Sequence, residues 1–259
     1  MTITFRREGA IGILSLDRPA KLNAMSHEMG DAIHALVDEL NGDPTLRCLL
    51  VRGEGRAFSA GGDLDFLEKN AAQDPDANRD EMLAFYTKFL AIRELEVPTI
   101  ALLHGRATGA GLCFALGCDL RVAAEDAMLS VNFARIGLTP GMGGTWSLQR
   151  VVGPARAAEL LYTGRTVTGT EAATMGLVNL AVPADVLEAR GLALANEIAA
   201  AAPVAIRLTK GLLRDHADVS LAEALEAEAA AQALVFASAD LKEGVASIRE
   251  KRTPTYEGR

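Results

Sequence analysis

The chain has 259 residues, 49% of them hydrophobic and 5% aromatic, which is enough apolar surface to bury one large core, or one core with a helical tail. This content argues against a disordered chain. Asp and Glu outnumber Lys and Arg by 34 to 26 and leave a net charge of −8 without a basic block, which excludes nucleic acid as the main partner.

Residues 1–16 contain neither an apolar signal-peptide core nor a small-residue cleavage site. Apolar runs along the chain also fall short of the roughly 20 residues that span a bilayer. We therefore expect a cytoplasmic protein without a membrane partner. Cys48, Cys113 and Cys118 lie in apolar stretches without zinc-ligand spacing, so we expect buried thiols and no metal site.

Short apolar runs alternate with helical patterns along the first half of the chain. Residues 3–7 and 11–16 indicate a strand pair around a glycine turn, and the apolar spacing over 27–40 predicts an amphipathic helix. Further buried strands are indicated by three runs bounded by Gly, Pro or Asp, at 47–52, 99–103 and 120–123. This alternation predicts an α/β fold.

One internal segment, AAQDPDANRD at 71–80, differs from its surroundings because it is polar. It has few strong helix formers and contains Pro75. We therefore predict a loop over these ten residues, at the edge of an otherwise compact chain.

The last third of the chain, from about residue 186 to 249, is rich in Ala, Leu and Glu with helical spacing. This pattern is interrupted in three places, near Pro203, around Asp218 and at 238–240. The tail has too little bulk for a core of its own, so it should pack on the α/β part or on a neighbouring subunit. We divide the chain into a core at 1–195 and a helical oligomerisation region at 196–259.

Three glycine-bearing segments, at 56–64, 104–111 and 137–145, carry the candidate chemistry, although each alone also fits a tight turn. In the first, glycines permit positive φ angles and a close approach of a ligand to main-chain N–H groups. In the second, small residues occupy a helix start, where free amides stabilise negative charge. Residue 114 is Phe and the third segment lacks Lys, so dinucleotide and phosphate-loop fingerprints are not met.

Taken together, these segments resemble the signature of the crotonase, or enoyl-CoA hydratase/isomerase, superfamily. The likeness covers essentially the whole chain and rests on five stretches, 16–24, 55–64, 104–119, 137–145 and 242–252. Residues 137–153, with Trp146 and Arg150, are most similar to the branch that contains the phenylacetyl-CoA epoxide isomerases.

The resemblance implies a spiral of ββα turns and a C-terminal helical trimerisation region, in a homotrimer or hexamer. It implies an acyl-CoA thioester as substrate, with coenzyme A as part of that substrate and no separate cofactor. The thioester oxygen would accept hydrogen bonds from the main-chain N–H groups of Gly62 and Ala110, which form the oxyanion hole. The positions implied to border coenzyme A are Lys21, Ala24, Ala60, Gly61, Asp63, Leu64 and, near the phosphates, Lys251.

The positions of this sequence that align with the acid and base residues of the family lack carboxylates. Cys113 and Phe133 stand where family hydratases have glutamates, and Gly141 stands where the epoxide isomerase branch has an aspartate. Hydration needs an acid and a base on the substrate. We therefore expect enolate stabilisation in isomerase-like or other family chemistry, with weak or absent standard hydratase activity. A non-catalytic acyl-CoA-binding protein is the first alternative.

The remaining polar candidates have structural interpretations. His104 and Asp119 lie at strand ends, where we expect them to satisfy local backbone groups. Cys113, in an apolar helix, is expected to be a small core residue. Tyr86 and Asn132 are candidate hydrogen-bond donors for an acyl pocket.

A serine hydrolase is the second alternative. Residues 57–61 resemble a nucleophile elbow around Ser59, and Asp119 and His216 follow it in the required order. We consider this alternative the weaker one, because His216 ends a helical pattern rather than lying in a loop, and because the family resemblance already explains the glycines.

Overall fold

The structure is a computed structural model that describes residues 1–259, apart from the side chain of residue 217. The described chain forms nine strands and eleven α-helices, joined by short turns. The strands are β1 Ile3–Glu8, β2 Ile11–Leu16, β3 Cys48–Gly53, β4 Thr99–Leu103, β5 Arg106–Thr108, β6 Leu120–Ala124, β7 Met128–Ser130, β8 Thr166–Thr168 and β9 Leu180–Val182. The helices are α1 His27–Asn41, α2 Leu64–Ala71, α3 Pro75–Leu90, α4 Ala110–Gly117, α5 Gly144–Val152, α6 Pro154–Thr163, α7 Gly169–Thr174, α8 Leu187–Ala199, α9 Pro203–Asp215, α10 Leu221–Phe236 and α11 Ala239–Glu250.

The strands form two sheets. The larger has the order β1-β2-β3-β4-β6-β9, antiparallel between β1 and β2 and parallel elsewhere. The smaller has the order β5-β7-β8. β4 and β6 belong to the larger sheet and are each followed by a strand of the smaller one, β5 and β7, and then by helical chain. This repeated order confirms the predicted α/β class.

The core lies around the central strands of the larger sheet. All residues of β2 and β4 are buried, and β3 is buried except at Arg52. Such strands appear in the sequence as continuous apolar runs because both faces are covered. The strands that the sequence did not reveal, β5, β7, β8 and β9, have three residues each and are too short to show a periodicity.

Helix α1 confirms the amphipathic pattern predicted at 27–40. The Ser26 hydroxyl caps it by accepting a hydrogen bond from the Met29 N–H. Its buried side chains recur every three or four residues, at Met29, Ile33, Val37 and Leu40, and the helix packs against α3.

The predicted loop at 71–80 is wrong in its second half, because α3 begins there at Pro75. The Asp74 carboxylate caps the helix by accepting from the Asp76 N–H at 2.9 Å. A proline at the first helical position costs no hydrogen bond and has the helical φ in advance. The Asp-Pro pair is therefore a helix start, and α3 places Tyr86 and Phe89 against the core.

The C-terminal helices confirm the predicted interruptions, with breaks at 200–202, 216–220 and 237–238. Helix α8 packs on β3, β4 and β6. Helix α10 has no buried residue within the described chain, and Leu225, Leu234 and Phe236 are more than half exposed on it. The division at residue 195 and the oligomerisation role of 196–259 stay predictions.

Among the described residues, no single helix has the length and apolar character needed to cross a membrane. One bent pair, Ala184–Ala199 with Pro203–Asp215, meets that test jointly by length and composition only.

Candidate functional site

The first two glycine-bearing segments meet where parallel strands of the larger sheet end. Residues 54–63 follow the carboxyl end of β3, and Ala110 lies just beyond β4 and β5. An isolated parallel bridge between Ser59 and Ala107 joins the two segments. The Ser59 N–H donates to the Arg106 carbonyl oxygen, and the Thr108 N–H donates to the Ser59 carbonyl oxygen, both at 3.0 Å. Ligand sites in α/β folds commonly lie at this edge of the sheet.

The first of these segments is also fixed to the chain that precedes α1. The Ala60 N–H donates to the Leu22 carbonyl oxygen at 2.9 Å, and the Met25 N–H donates to the Gly61 carbonyl oxygen at 2.7 Å. The Asp63 N–H returns a bond to the Met25 carbonyl oxygen at 3.2 Å. Residues 60–63 are therefore held between two other pieces of chain.

Gly61 turns this segment so that its next amide faces the start of α4. Its φ of +93° lies in the region that favours glycine. A Cβ atom at Gly61 would lie 2.7 Å from the Thr108 carbonyl oxygen and 3.5 Å from the Ala110 nitrogen. Glycine is thus required both by the backbone angle and by the closeness of Ala110.

The N–H groups of Gly62 and Ala110 are free donors at this junction. Within the described chain, neither forms a hydrogen bond to a protein acceptor. Ala110 is the first residue of α4, so its amide is one of those that a helix leaves unpaired. Two adjacent free amides, one at the positive end of a helix dipole, can bind an oxygen that carries negative charge.

A close contact beside the amides fixes the distance between the two segments. A Cβ atom at Gly111 would lie 2.7 Å from both Cβ and Oγ of Ser59. The Ser59 hydroxyl is fully buried, donates to the Asn23 carbonyl oxygen at 2.8 Å and accepts from the Gly61 N–H at 3.2 Å. Ser59 is thus a structural link, which contradicts the serine-hydrolase alternative.

Asp119, the acid of that alternative triad, and His104, which is not part of it, both have structural partners. The Asp119 carboxylate accepts from the N–H and hydroxyl of Thr99 at 2.7 and 2.8 Å. His104 lies 3.0 Å through Nε2 from the Gly55 carbonyl oxygen. These contacts confirm the structural interpretation of Asp119 and His104.

Cys113 and Gly141 lie close together beyond the amides. A Cβ atom at Gly144, which follows Gly141 at the start of α5, would lie 2.8 Å from the Cys113 sulfur. A Cβ atom at Gly141 would lie 2.5 Å from the Tyr86 hydroxyl oxygen. Burial raises the pKa of the Cys113 thiol to about 12, which leaves it protonated and unreactive at neutral pH. The expectation that Cys113 is a core residue is confirmed.

Phe133 lies on the other side of the helix start. A Cβ atom at Gly109 would lie 3.8 Å from Cζ of Phe133 and 3.3 Å from the side-chain oxygen of Asn132. Phe133 is 8% exposed and packs in the core. The side-chain atoms closest to Gly109, Gly141 and Gly144 therefore belong to an amide, a phenol, a thiol and apolar groups.

Asp63 joins the amide-bearing segment to the first loop through an ion pair network. Its carboxylate accepts from Arg18 Nη2 at 2.9 Å and from Lys21 Nζ at 3.3 Å, and it caps α2. Partial burial works to raise the pKa of Asp63, but the bonds from Arg18 and Lys21 outweigh it and lower the pKa below its ordinary value. Asp63 is an organising residue next to Gly62, whatever ligand is bound.

The other residues implied to border coenzyme A divide into near and distant ones. Ala24, Ala60 and Leu64 lie in or beside the segments around Gly62, with Ala24 nearly buried and Leu64 71% exposed. Lys251 caps the end of α11 in a left-handed conformation, and α11 contacts α10 and the C-terminal residues. The structure thus brings the first group together, whereas Lys251 lies on a separate part of the chain.

Asn23 is a site-organising residue that the sequence analysis missed. It is fully buried, and its side chain donates to the carbonyl oxygens of Glu54 and Ala57 and accepts from the Arg18 N–H. These bonds shape the loop that leads to Gly62. The signal in the sequence was the residue type, because asparagine tolerates the left-handed conformation better than most residues do. Asn23, between Leu22 and Ala24, has a φ of +54°.

A separate surface cavity of about 420 Å³ lies at the opposite edge of the sheet. Its lining includes Pro98 and Asp119, which immediately precede β4 and β6, and Lys210 of α9. Because Asp119 and Lys210 are bonded to each other, this cavity presents few free groups for chemistry. The free amides at the carboxyl ends of the strands make the better candidate site.

Comparison with known proteins shows which family the chain resembles. A family model described as enoyl-CoA hydratase/isomerase matches residues 6–259. The chain is 35% identical over 255 residues to a probable enoyl-CoA hydratase, echA8, of Mycobacterium bovis, covering 98% of this chain and 97% of the relative. It is 33% identical over 255 residues to a crotonyl-CoA hydratase of Syntrophomonas wolfei, with the same shares covered.

The fold comparison is equally extensive. The crystal structure of an enoyl-CoA hydratase from Bacillus anthracis superposes with a TM-score of 0.94 at 32% identity, over 100% of both chains. This likeness confirms the expected crotonase-type ββα core. The family match and the fold together show that the chain belongs to the enoyl-CoA hydratase/isomerase family.

Proposed function

We propose that this protein acts on an acyl-CoA thioester by stabilising an enolate of the substrate between the Gly62 and Ala110 amides. The observation that carries the proposal is the pair of free N–H groups, which lie beside each other although they belong to separate segments. An enolate concentrates negative charge on the thioester oxygen, and fixed donors stabilise that charge more than they stabilise the neutral carbonyl.

We infer that this chemistry runs without the carboxylate pair of the family's hydratases. Asn132, Tyr86 and Cys113, the side chains closest to Gly109, Gly141 and Gly144, support this because all three are neutral. A thiol with a pKa of about 12 is a poor base at neutral pH, and a phenyl ring is neither acid nor base. Because these side chains are not basic, the α-proton would pass to water or to a basic group of the substrate itself, so an isomerase-like reaction here requires a substrate whose α-proton is already acidic.

The residues around the amides would hold the coenzyme A part of the substrate. Ala24, Ala60 and Gly61, which are small residues in or beside the segment of Gly62, would border the pantetheine chain. Lys21 is half exposed and pairs with Asp63 and Asp65, so it offers a cation at the rim. Leu64, which is exposed beside it, adds an apolar contact. Lys251 would contribute a phosphate contact in an oligomer, and no separate cofactor enters the proposal.

Replacing Ala110 with Pro tests the oxyanion hole. Pro deletes the N–H donor, while the first helical position tolerates its ring. With an enzyme, loss of one donor should lower the rate of protein-catalysed α-proton exchange of acetoacetyl-CoA in D2O by about 10²- to 10³-fold. Ala110→Gly keeps the donor and is the matched control.

The same pair of variants separates an enzyme from a binder. If the protein only binds the thioester, Ala110→Pro should weaken butyryl-CoA affinity while the wild type shows no exchange to lose. Circular dichroism and light scattering must match the wild type for the comparison to count. A well-folded Ala110→Pro protein that binds butyryl-CoA and exchanges acetoacetyl-CoA like its parent would contradict the proposed site.

A further inference from the structure

Tyr86 of α3 occupies space that a side chain at Gly141 would need. A Cβ atom at Gly141 would lie 2.5 Å from the Tyr86 hydroxyl oxygen, 2.9 Å from its Cζ and 3.1 Å from its Cε1. Gly141 is buried, so a larger residue there would have to displace the ring. The phenol therefore stands where the side chain of residue 141 would otherwise be.

The phenol also lies near the candidate oxyanion amides. A Cβ atom at Gly144, three residues after Gly141, would lie 2.8 Å from the Cys113 sulfur, and Cys113 is itself three residues after Ala110 on α4. Residues three apart lie on the same side of a helix, about one turn from each other. Tyr86 is thus linked to the start of α4 through the contacts at Gly141, Gly144 and Cys113.

The hydroxyl of Tyr86 is an unused donor. Burial, and then the neighbouring Cys113, raise the pKa of this phenol above its ordinary value, so it keeps its proton at neutral pH. Among the hydrogen bonds of the described side chains, none involves the Tyr86 hydroxyl. A tyrosine that merely fills a core usually finds a partner for its hydroxyl. Here the hydroxyl has no protein partner and is not fully buried, so it is accessible to a ligand.

We propose that Tyr86 donates a hydrogen bond to an oxygen substituent on the acyl chain, and that it selects 3-hydroxyacyl or 3-oxoacyl thioesters over plain acyl thioesters. This inference rests on the proposed acyl-CoA function. The amides take the thioester oxygen, and the phenol takes the next oxygen along the chain. A neutral donor suits this task because it binds an oxygen without requiring a charged partner in a buried pocket.

Tyr86→Phe removes the hydroxyl and keeps the ring. We would measure binding of 3-hydroxybutyryl-CoA, acetoacetyl-CoA and butyryl-CoA by calorimetry. The variant should bind the first two about 3- to 10-fold more weakly, which is the usual effect of one hydrogen bond, and should bind butyryl-CoA like the wild type. Tyr162→Phe, at a surface tyrosine that is 81% exposed, is the matched control and should change none of the three affinities.

Gly141→Ala is a second variant that keeps the phenol but pushes it aside. It should reproduce the selective loss for the two oxygen-bearing thioesters. An equal loss for all three ligands in both variants would show that Tyr86 only supports the fold, and unchanged affinities in Tyr86→Phe would also overturn the inference. If the wild type fails to bind butyryl-CoA, the proposed function itself fails, which is a different result from a missing selectivity.

Discussion

Lys210 Nζ lies 2.8 Å from Asp119 Oδ2, and it also donates to the Val97 carbonyl oxygen at 2.8 Å. The lysine side chain is only 9% exposed, and it joins α9 to the starts of β4 and β6. The C-terminal helices are therefore tied to the core by a nearly buried charge with two partners.

Lys210→Met should lower the free energy of unfolding by about 1.5–3 kcal/mol, because hydrogen bonds to charged groups are lost and Val97 is left without its donor. Urea unfolding at pH 7 measures the change. Lys242→Met, at an exposed lysine of α11, is the control and should stay within about 0.5 kcal/mol. Equal effects of the two changes would show that the buried contacts of Lys210 contribute no more to the free energy of unfolding than an exposed lysine does.

Gly111→Ala should disturb the junction of the two amide-bearing segments. The new methyl would meet Ser59 at 2.7 Å, so either segment must move, at a cost of about 1–3 kcal/mol. We expect a lower melting temperature together with weaker butyryl-CoA binding. Gly211→Ala in α9 is the matched control, since a Cβ atom there meets nothing within 4 Å, and helix propensity should make it neutral or slightly stabilising. A Gly111→Ala protein as stable as that control would argue against the close contact.

Asp63→Asn should change how stability depends on pH. The pKa of Asp63 is lower in the folded protein than its unfolded value of about 3.9, so its contribution is present above that pH and is lost as the pH falls through the folded pKa. The variant should be less stable than the wild type at pH 7, and the difference should shrink below about pH 4. Denaturant titrations at several pH values would measure it. A difference that stays constant down to pH 3 would mean that Asp63 acts through packing rather than charge.

The exposed apolar residues of α10 predict self-association. Leu225 is 55% exposed on this helix, and we expect a trimer or hexamer that covers it. Leu225→Glu should shift the protein toward smaller species in light scattering, because a buried charge without a partner is costly. Leu83→Glu on α3, where the leucine is 57% exposed, is the matched control. A wild-type monomer at micromolar concentration would show that α10 has another partner, or none.

Crotonyl-CoA hydration should be weak. If the acid and base positions are empty, as we propose, the rate should fall at least about 10³-fold below that of a hydratase, since each such group contributes about 10²-fold or more. The crotonyl-CoA hydratase of Syntrophomonas wolfei, a relative at 33% identity, would serve as the positive control in the same assay. Comparable turnover by the two proteins would contradict the proposal.

Sequence patterns predicted the parts of this protein in which local chemistry decides the structure. The strands β2, β3 and β4 appear in the sequence as apolar runs because both of their faces are buried. Helix α1 appears as an amphipathic pattern because only one of its faces is buried. The loop predicted at 71–80 is wrong from Pro75 onward, because a proline that usually breaks a helix begins one when it follows a capping residue such as Asp74.

The candidate site could be predicted only in part. The glycines at 61 and 109 indicated close approach of the backbone, and the structure places the Gly62 and Ala110 segments side by side. The position of Tyr86 could not be predicted, because its ring meets Gly141 through the packing of α3 against the start of α5 rather than through any local pattern. The oligomer interface is beyond the sequence for a similar reason, since the apolar residues of α10 do not specify what covers them.

The bridge between Ser59 and Ala107 holds the Gly62 and Ala110 segments side by side, so an oxygen bound by both amides would contact two different crossovers of the chain. A ligand that uses both amides therefore acts as a reversible cross-link between them. In the unfolded chain the two amides are far apart and cannot be engaged together, so ligand binding and folding are thermodynamically linked. At a hundred times the dissociation constant such a ligand would add about 2.7 kcal/mol to the free energy of unfolding. The cellular concentration of thioester would then influence both the activity of this protein and the fraction of it that stays folded.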